Sequence, residues 1–138
     1  MRLSPEPGHT LTVSADFLAV RELAKFLHER CGEQGIQENV ALDLELALVE
    51  AANNVVAHGY AGNFEGTMSL EVQITANALR LVLSDCGKAA PEGFFDACNI
   101  MDLDSESGRG NGIIHACVDE IRYSSNEAGN RLEMTRRR

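Results

Sequence analysis

Between Thr67 and Ser84 the chain alternates in a way few folds can accommodate. Met68, Leu70, Val72 and Ile74 stand between Thr67, Ser69, Glu71, Gln73 and Thr75. After Ala76-Asn77-Ala78, the residues Leu79, Leu81 and Leu83 alternate with Arg80, Val82 and Ser84. A period of two puts one set on a covered face of a strand and the other toward solvent. Two such strands joined by a short turn predict an antiparallel hairpin with one buried face. The cover must come from elsewhere in the 138 residues. A chain of that length suits one domain and buries about two-thirds of its unfolded surface.

Two helices upstream can supply the cover. Val20, Leu23, Ala24, Leu27 and Cys31 fall on one helical face, with Ser14 or Asp16 as cap and Gly32 as stop. Val40, Leu44, Ala47, Leu48, Ala51 and Val55 form the stripe of a second helix, about Glu38 to Ala57, ended by Gly59 and Gly62. Thr10, Thr12 and Ser14 alternate with Leu11 and Val13, a short first strand. A long glycine-rich segment from Cys86 to Gly112 follows the central hairpin. Then come a short helix, about Asn111 to Asp119, and a second hairpin: Ile121 to Ser125, a turn at 126–130, and Arg131 to Thr135. Arg136 to Arg138 reads as a solvated basic tail, and Met134 and the phenylalanines read as core. The order β, α, α, β, β, loop, α, β, β does not interleave helices with strands one for one. It predicts an α/β (α+β) two-layer sandwich, with helices on one face of a mostly antiparallel mixed sheet. Residues 1–8 are expected to be a flexible tail and 9–138 a single domain.

Composition narrows the partners. Twelve Lys and Arg against 21 Asp and Glu give a formal net charge of −9. An acidic surface repels a nucleic-acid backbone and an anionic membrane, so neither is expected as a direct partner. At 44% hydrophobic and 24% charged residues the chain is too apolar for disorder. It has no apolar run near the roughly 18 residues of a membrane span, and no apolar stretch follows Met1, so a cytoplasmic protein is expected. Cys31, Cys86, Cys98 and Cys117 form no CxxC pair, which predicts reduced thiols and no structural zinc.

Three features carry candidate chemistry. Glu50 and Asn54 are four apart on the second helix and His58 continues the row. A carboxylate and a carboxamide so placed supply oxygen ligands for a divalent cation or orient a nucleophile; equally, they form an exposed polar face with end-capping. Counting by two from Leu79 lands on Asp85, on the covered side of its strand. A carboxylate there needs a strong donor, such as a ligand amino group, unless it caps the next turn. Gly87 follows and permits close backbone approach. Third, Gly108-Arg109-Gly110-Asn111-Gly112 stands before a helix, where free backbone N–H groups and the helix dipole favour an anion. The Gly-Lys-Ser/Thr ending of a P-loop is absent, and no apolar strand precedes the run as in a Rossmann fingerprint.

In this order the three resemble the GHKL (Bergerat, histidine-kinase-like) ATP-binding fold, and within it the RsbW/SpoIIAB-type anti-sigma factor serine/threonine kinases. The resemblance runs from about Leu11 to Thr135. Glu50-Ala-Ala-Asn53-Asn54-Val-Val-Ala-His58-Gly-Tyr60 looks like that family's N-box, and Asp85-Cys-Gly87-Lys-Ala like its first glycine box. Gly108-Arg-Gly-Asn-Gly112-Ile looks like its second, and Gly129-Asn-Arg-Leu132 like its closing hairpin. It departs at Ala89, where histidine kinases of the wider fold often carry a further glycine. The resemblance implies ATP and Mg²⁺ as cofactors. Asn54 holds the metal, Asp85 accepts from the adenine amino group beside Gly87, and Gly108, Arg109, Gly110, Asn111 and Gly112 wrap the phosphates. His58 belongs to the ATP-binding set, residues 93–107 form the lid, and Glu50 is the general base. It implies an alternative sigma factor and a STAS-domain anti-sigma antagonist as partners, with a homodimer common among similar proteins. Two other readings belong to the same fold: an adapter that binds ATP without turnover, and a stressosome-type switch kinase acting on a scaffold protein.

Overall fold

The computed structural model describes residues 9–61, 65–96 and 106–138. The expected tail, Gly62, Cys98, residues 97–105 of the expected lid and the Arg109 side chain lie outside the described part. The order is β1 (Thr10–Ser14), α1 (Ala19–Glu33), α2 (Glu38–Asn54), a π-helical turn (Val55–Gly59), β2 (Thr67–Ile74), β3 (Ala78–Asp85), α3 (Glu106–Cys117), β4 (Glu120–Asn126) and β5 (Gly129–Arg137). The strands form one sheet in the order β1-β2-β3-β5-β4. All four pairings are antiparallel, so the described sheet has no parallel pair and is not mixed.

The alternating hairpin sits where its period requires. Met68, Leu70, Val72, Leu79, Leu81 and Leu83 are buried, and they meet Leu23, Leu27, Leu44, Leu48 and Ile114 from the helices in one core cluster. Thr75 closes the turn: its hydroxyl accepts the Asn77 and Ala78 N–H groups. Val82, on the polar phase of β3, is also buried at 2% exposure. Asp16, not Ser14, caps α1, accepting the Ala19 N–H at 2.8 Å. The helix runs past Gly32 to Glu33, and Gly35, with a φ of +65°, turns the chain so that Ile36 N–H reaches the Cys31 carbonyl. Ile36 then packs on the core.

Four other expectations change. The second helix stops being α-helical at Asn54 and widens into a π turn, with Tyr60 N–H bonded to the Val55 carbonyl five residues back. The last helix begins at Glu106, so the glycine run lies inside α3 rather than before it. The basic tail is strand: Arg136 and Arg137 pair with Leu79 and Ala78, and Arg136 bridges to Asp43 on α2 at 3.2 Å. Phe17 is 50% exposed, Phe26 and Phe95 only lean on the core, and Phe94 lines a cavity; Met134 is fully buried as expected. Cys31, Cys86 and Cys117 are free thiols. Burial pushes the Cys31 and Cys117 thiols up, with carboxylates of α2 (Glu45 and Asp43) adding to the effect.

Candidate functional site

A cavity of about 480 Å³ opens where the π turn faces the C-terminal end of β3. Its wall is mostly apolar, from Val55, Leu83, Phe94, Phe95 and Leu132, and its polar contributions include Asn54, His58, Asp85 and Lys88. A mostly apolar cleft of this size with few convergent polar groups is the usual form of a small-molecule site. Three of the residues singled out from sequence, Asn54, His58 and Asp85, therefore meet in one cavity. Ala89, the departure from the wider fold, lines it too.

Asp85 ends β3 and its carboxylate is fixed. Its Oδ1 accepts the Gly87 N–H at 2.8 Å and the Asn130 amide at 2.9 Å. Gly87 is required by contact: a Cβ there would stand 2.6 Å from the Gly59 carbonyl oxygen. The π turn brings that carbonyl in, and it accepts the Lys88 N–H. Gly129 is required on two counts. Its φ is +130°, and a Cβ would lie 2.6 Å from the Asp85 carbonyl oxygen. Tyr60 pins the same end, accepting the Cys86 N–H and donating to the Thr67 carbonyl, each at 2.8 Å. Burial first, then the neighbouring Asp85 and Cys86, pushes its phenol up, though the bonds to Cys86 and Thr67 work the other way. Tyr123 on β4 accepts the Ala90 N–H at 2.9 Å and stacks near Phe95, steadying the wall beyond. Cys86 faces away, exposed on the other side of the sheet, and does not line the cavity.

The helix side is different. Asn54 has its amide Nδ2 buried with no partner among the described residues. Glu50, one turn earlier, does not line the cavity; it faces α3, where a Cβ on Gly110 would come 2.8 Å from its Oε2. Cys117 lies near Asp43, so α3 runs antiparallel to α2 and its first turn points toward the Asn54 end. Asn111 is 7% exposed and donates to the Phe94 carbonyl at 2.8 Å, while its own Oδ1 has no partner among the described residues. Gly108, Gly110 and Gly112 are helical, and Gly110 and Gly112 are not among the described residues of the cavity wall. Their backbone N–H groups are not the free cradle expected of a loop; only the first turn of α3 has N–H groups to spare.

Sequence reasoning missed Asn130, Tyr60 and Tyr123 as parts of the site. Asn130 and Tyr60 lay within quoted motifs, but the contact of Asn130 with Asp85 spans 45 residues and exists only through the β3–β5 register, in which the two are paired.

An antiparallel sheet under helices, with an N-box helix and an Asp-x-Gly strand end meeting in one cavity, defines the histidine kinase-like ATPase class. The chain belongs to that family, matching its Histidine kinase-like ATPase domain over residues 13–136. Among curated proteins it is similar to the Serine-protein kinase RsbW of Bacillus velezensis and of Bacillus subtilis. Each is 28% identical over 101 residues, which is 68% of this chain and 62% of the relative. The match thus spans under two-thirds of those relatives' length. A crystal structure of the RsbU and RsbW domains of Rv1364c from Mycobacterium tuberculosis has the same fold. Its TM-score is 0.63 at 21% identity, over 97% of this chain and 33% of that one. No helix among the described residues is long and apolar enough to cross a membrane.

Proposed function

We propose that this domain binds Mg·ATP in the Asn54–Asp85 cavity and phosphorylates a serine or threonine of a small STAS-domain antagonist, competing with an alternative sigma factor that it otherwise holds. The supporting observation is that an acceptor carboxylate and a carboxamide face one apolar cleft from opposite sides, as a purine bearing an amino group and a phosphate-bound cation require. The residues fit both groups. Leu83, Phe94 and Leu132 offer apolar surface for a base, and the buried Asn54 Nδ2, without a partner among the described residues, is a donor that a phosphate oxygen would satisfy. Asn54 would hold Mg²⁺ through its carboxamide oxygen; when bound, the ion neutralises phosphate charge. The positive end of α3 points toward the same place and favours the triphosphate.

In the reaction Glu50 takes the proton of the antagonist hydroxyl as its oxygen bonds to the γ-phosphorus. The bond from that phosphorus to the β,γ-bridging oxygen breaks, and ADP leaves. Labelled ATP mixed with the protein and a STAS-domain antagonist tests this: label on the antagonist supports it, and unlabelled antagonist in a stable complex refutes the kinase step. The second reading, an adapter that binds ATP without turnover, is favoured by one observation, the packing of Glu50 against Gly110 outside the cavity. The same measurement separates the two.

A further inference from the structure

We propose that Asn130, held by Ser125, sets the purine selectivity of this cavity by fixing how Asp85 is presented. The inference rests on the cavity being the nucleotide site. Asn130 is 5% exposed, unusual for a polar side chain, and every polar atom of its amide is used. Its Nδ2 donates to Asp85 Oδ1 at 2.9 Å and to the Gly87 carbonyl at 2.8 Å, and its Oδ1 accepts the Ser125 hydroxyl at 2.7 Å. Both amide hydrogens are engaged and Asn130 does not line the cavity, so it is a positioning residue and not a ligand contact.

The consequence falls on Asp85. Oδ1 already carries two donors, from Asn130 and from the Gly87 N–H, and no hydrogen bond reaches Oδ2 among the described residues. Turning the carboxyl means breaking two charge-assisted hydrogen bonds. Oδ2 is therefore held as a fixed, acceptor-only atom. Such an atom accepts from an exocyclic amino group and opposes a carbonyl oxygen in the same place, so it favours a 6-aminopurine over a 6-oxopurine. A site built around one fixed polar partner discriminates far more than one whose partner can swing away. The orientation of the amide is determined by its surroundings: rotated by half a turn, its carbonyl would face both Asp85 Oδ1 and the Gly87 carbonyl.

The test compares ATP and GTP affinities by calorimetry in the full chain, with thermal unfolding alongside. Asn130→Ala is expected to weaken ATP about tenfold or more, the loss of a hydrogen bond to a charged group, while GTP changes little, so the ATP-to-GTP ratio collapses. Ser125→Ala is expected to shift the ratio the same way by about threefold, and Ser125→Thr, which keeps the hydroxyl, to restore it. Ser125 is exposed, so its variants carry the test even if Asn130→Ala does not fold. An unchanged ratio in the Ser125→Ala protein, or equal loss of both nucleotides, overturns the inference. A native chain that binds neither nucleotide overturns the reading of the cavity itself, a separate and earlier failure.

Discussion

At the Asp85 end of the cavity, Asp85, Asn130 and Ser125 form one hydrogen-bonded chain, Tyr60 and Tyr123 pin the neighbouring backbone, all at 2.7 to 2.9 Å, and two glycines are fixed by backbone contact. At the Asn54 end, an amide nitrogen of Asn54 and the amide oxygen of Asn111 are buried without partners among the described residues, and Glu50 lies against a glycine of α3. The first end is strand and tight turn, and apart from Asp85 Oδ2 its named polar side chains are bonded within the fold. The second is a seam between helices. Each buried polar atom left unpaired costs about 1–3 kcal/mol, and a ligand that pairs it recovers that loss. The difference suggests a division of work under the proposed function: the end proposed to read the base is preorganised, and the end proposed to take the phosphates keeps polar groups for what binds.

The largest effect should come from the helix seam. Glu50→Gln removes the proposed proton acceptor and keeps the shape. Transfer to a STAS-domain antagonist should fall by about 10² to 10⁴, with ATP affinity within about twofold. Label-transfer rates beside calorimetry check this; full activity would remove Glu50 as base and leave the seam with no chemical role. Asp85→Asn attacks the other end. It replaces an acceptor-only group with one that also donates, facing donors already placed by Gly87 and Asn130. ATP affinity should drop about a hundredfold with two hydrogen bonds to a charged group disturbed. Unchanged affinity would mean that the preorganised end does not read the base.

How far the sequence discloses each end follows from the range of the interactions. Period two carries Leu79, Leu81 and Leu83 to Asp85, a local rule that puts Asp85 at the cavity, whereas the i,i+4 spacing of Glu50 and Asn54 brings only Asn54 into it and leaves Glu50 against α3. Asn130 depends on a strand register between β3 and β5, which no local pattern encodes. The start of α3 is hidden for the opposite reason. Glycine costs a helix about 1 kcal/mol relative to alanine, so local propensity argues for a loop at 108–112. Packing overrides it, since a smooth helix surface is what lets α3 lie on Glu50. Arg136 and Arg137 look like a tail until β3 is seen to need partners at Leu79 and Ala78, with Asp43 and Asp119 at hand to take the charge.

One substitution made in both regions sharpens the contrast further. Gly87→Ala places a methyl 2.6 Å from a carbonyl oxygen held in the backbone of the π turn. Nothing there can swing aside, so the turn must shift, at about 1–3 kcal/mol by analogy with overpacked cores, and the seat of Asp85 moves with it. Thermal unfolding should show a clear fall. Gly110→Ala places its methyl 2.8 Å from Glu50 Oε2, the far end of a side chain that can rotate. That cost is small, and alanine returns about 1 kcal/mol of helix propensity. The Gly110→Ala protein should therefore melt at or slightly above the native temperature, while its transfer rate changes because Glu50 has been displaced. If it melts well below the native protein, the seam is as tightly fitted as the strand end, and the division of labour between the two ends is wrong.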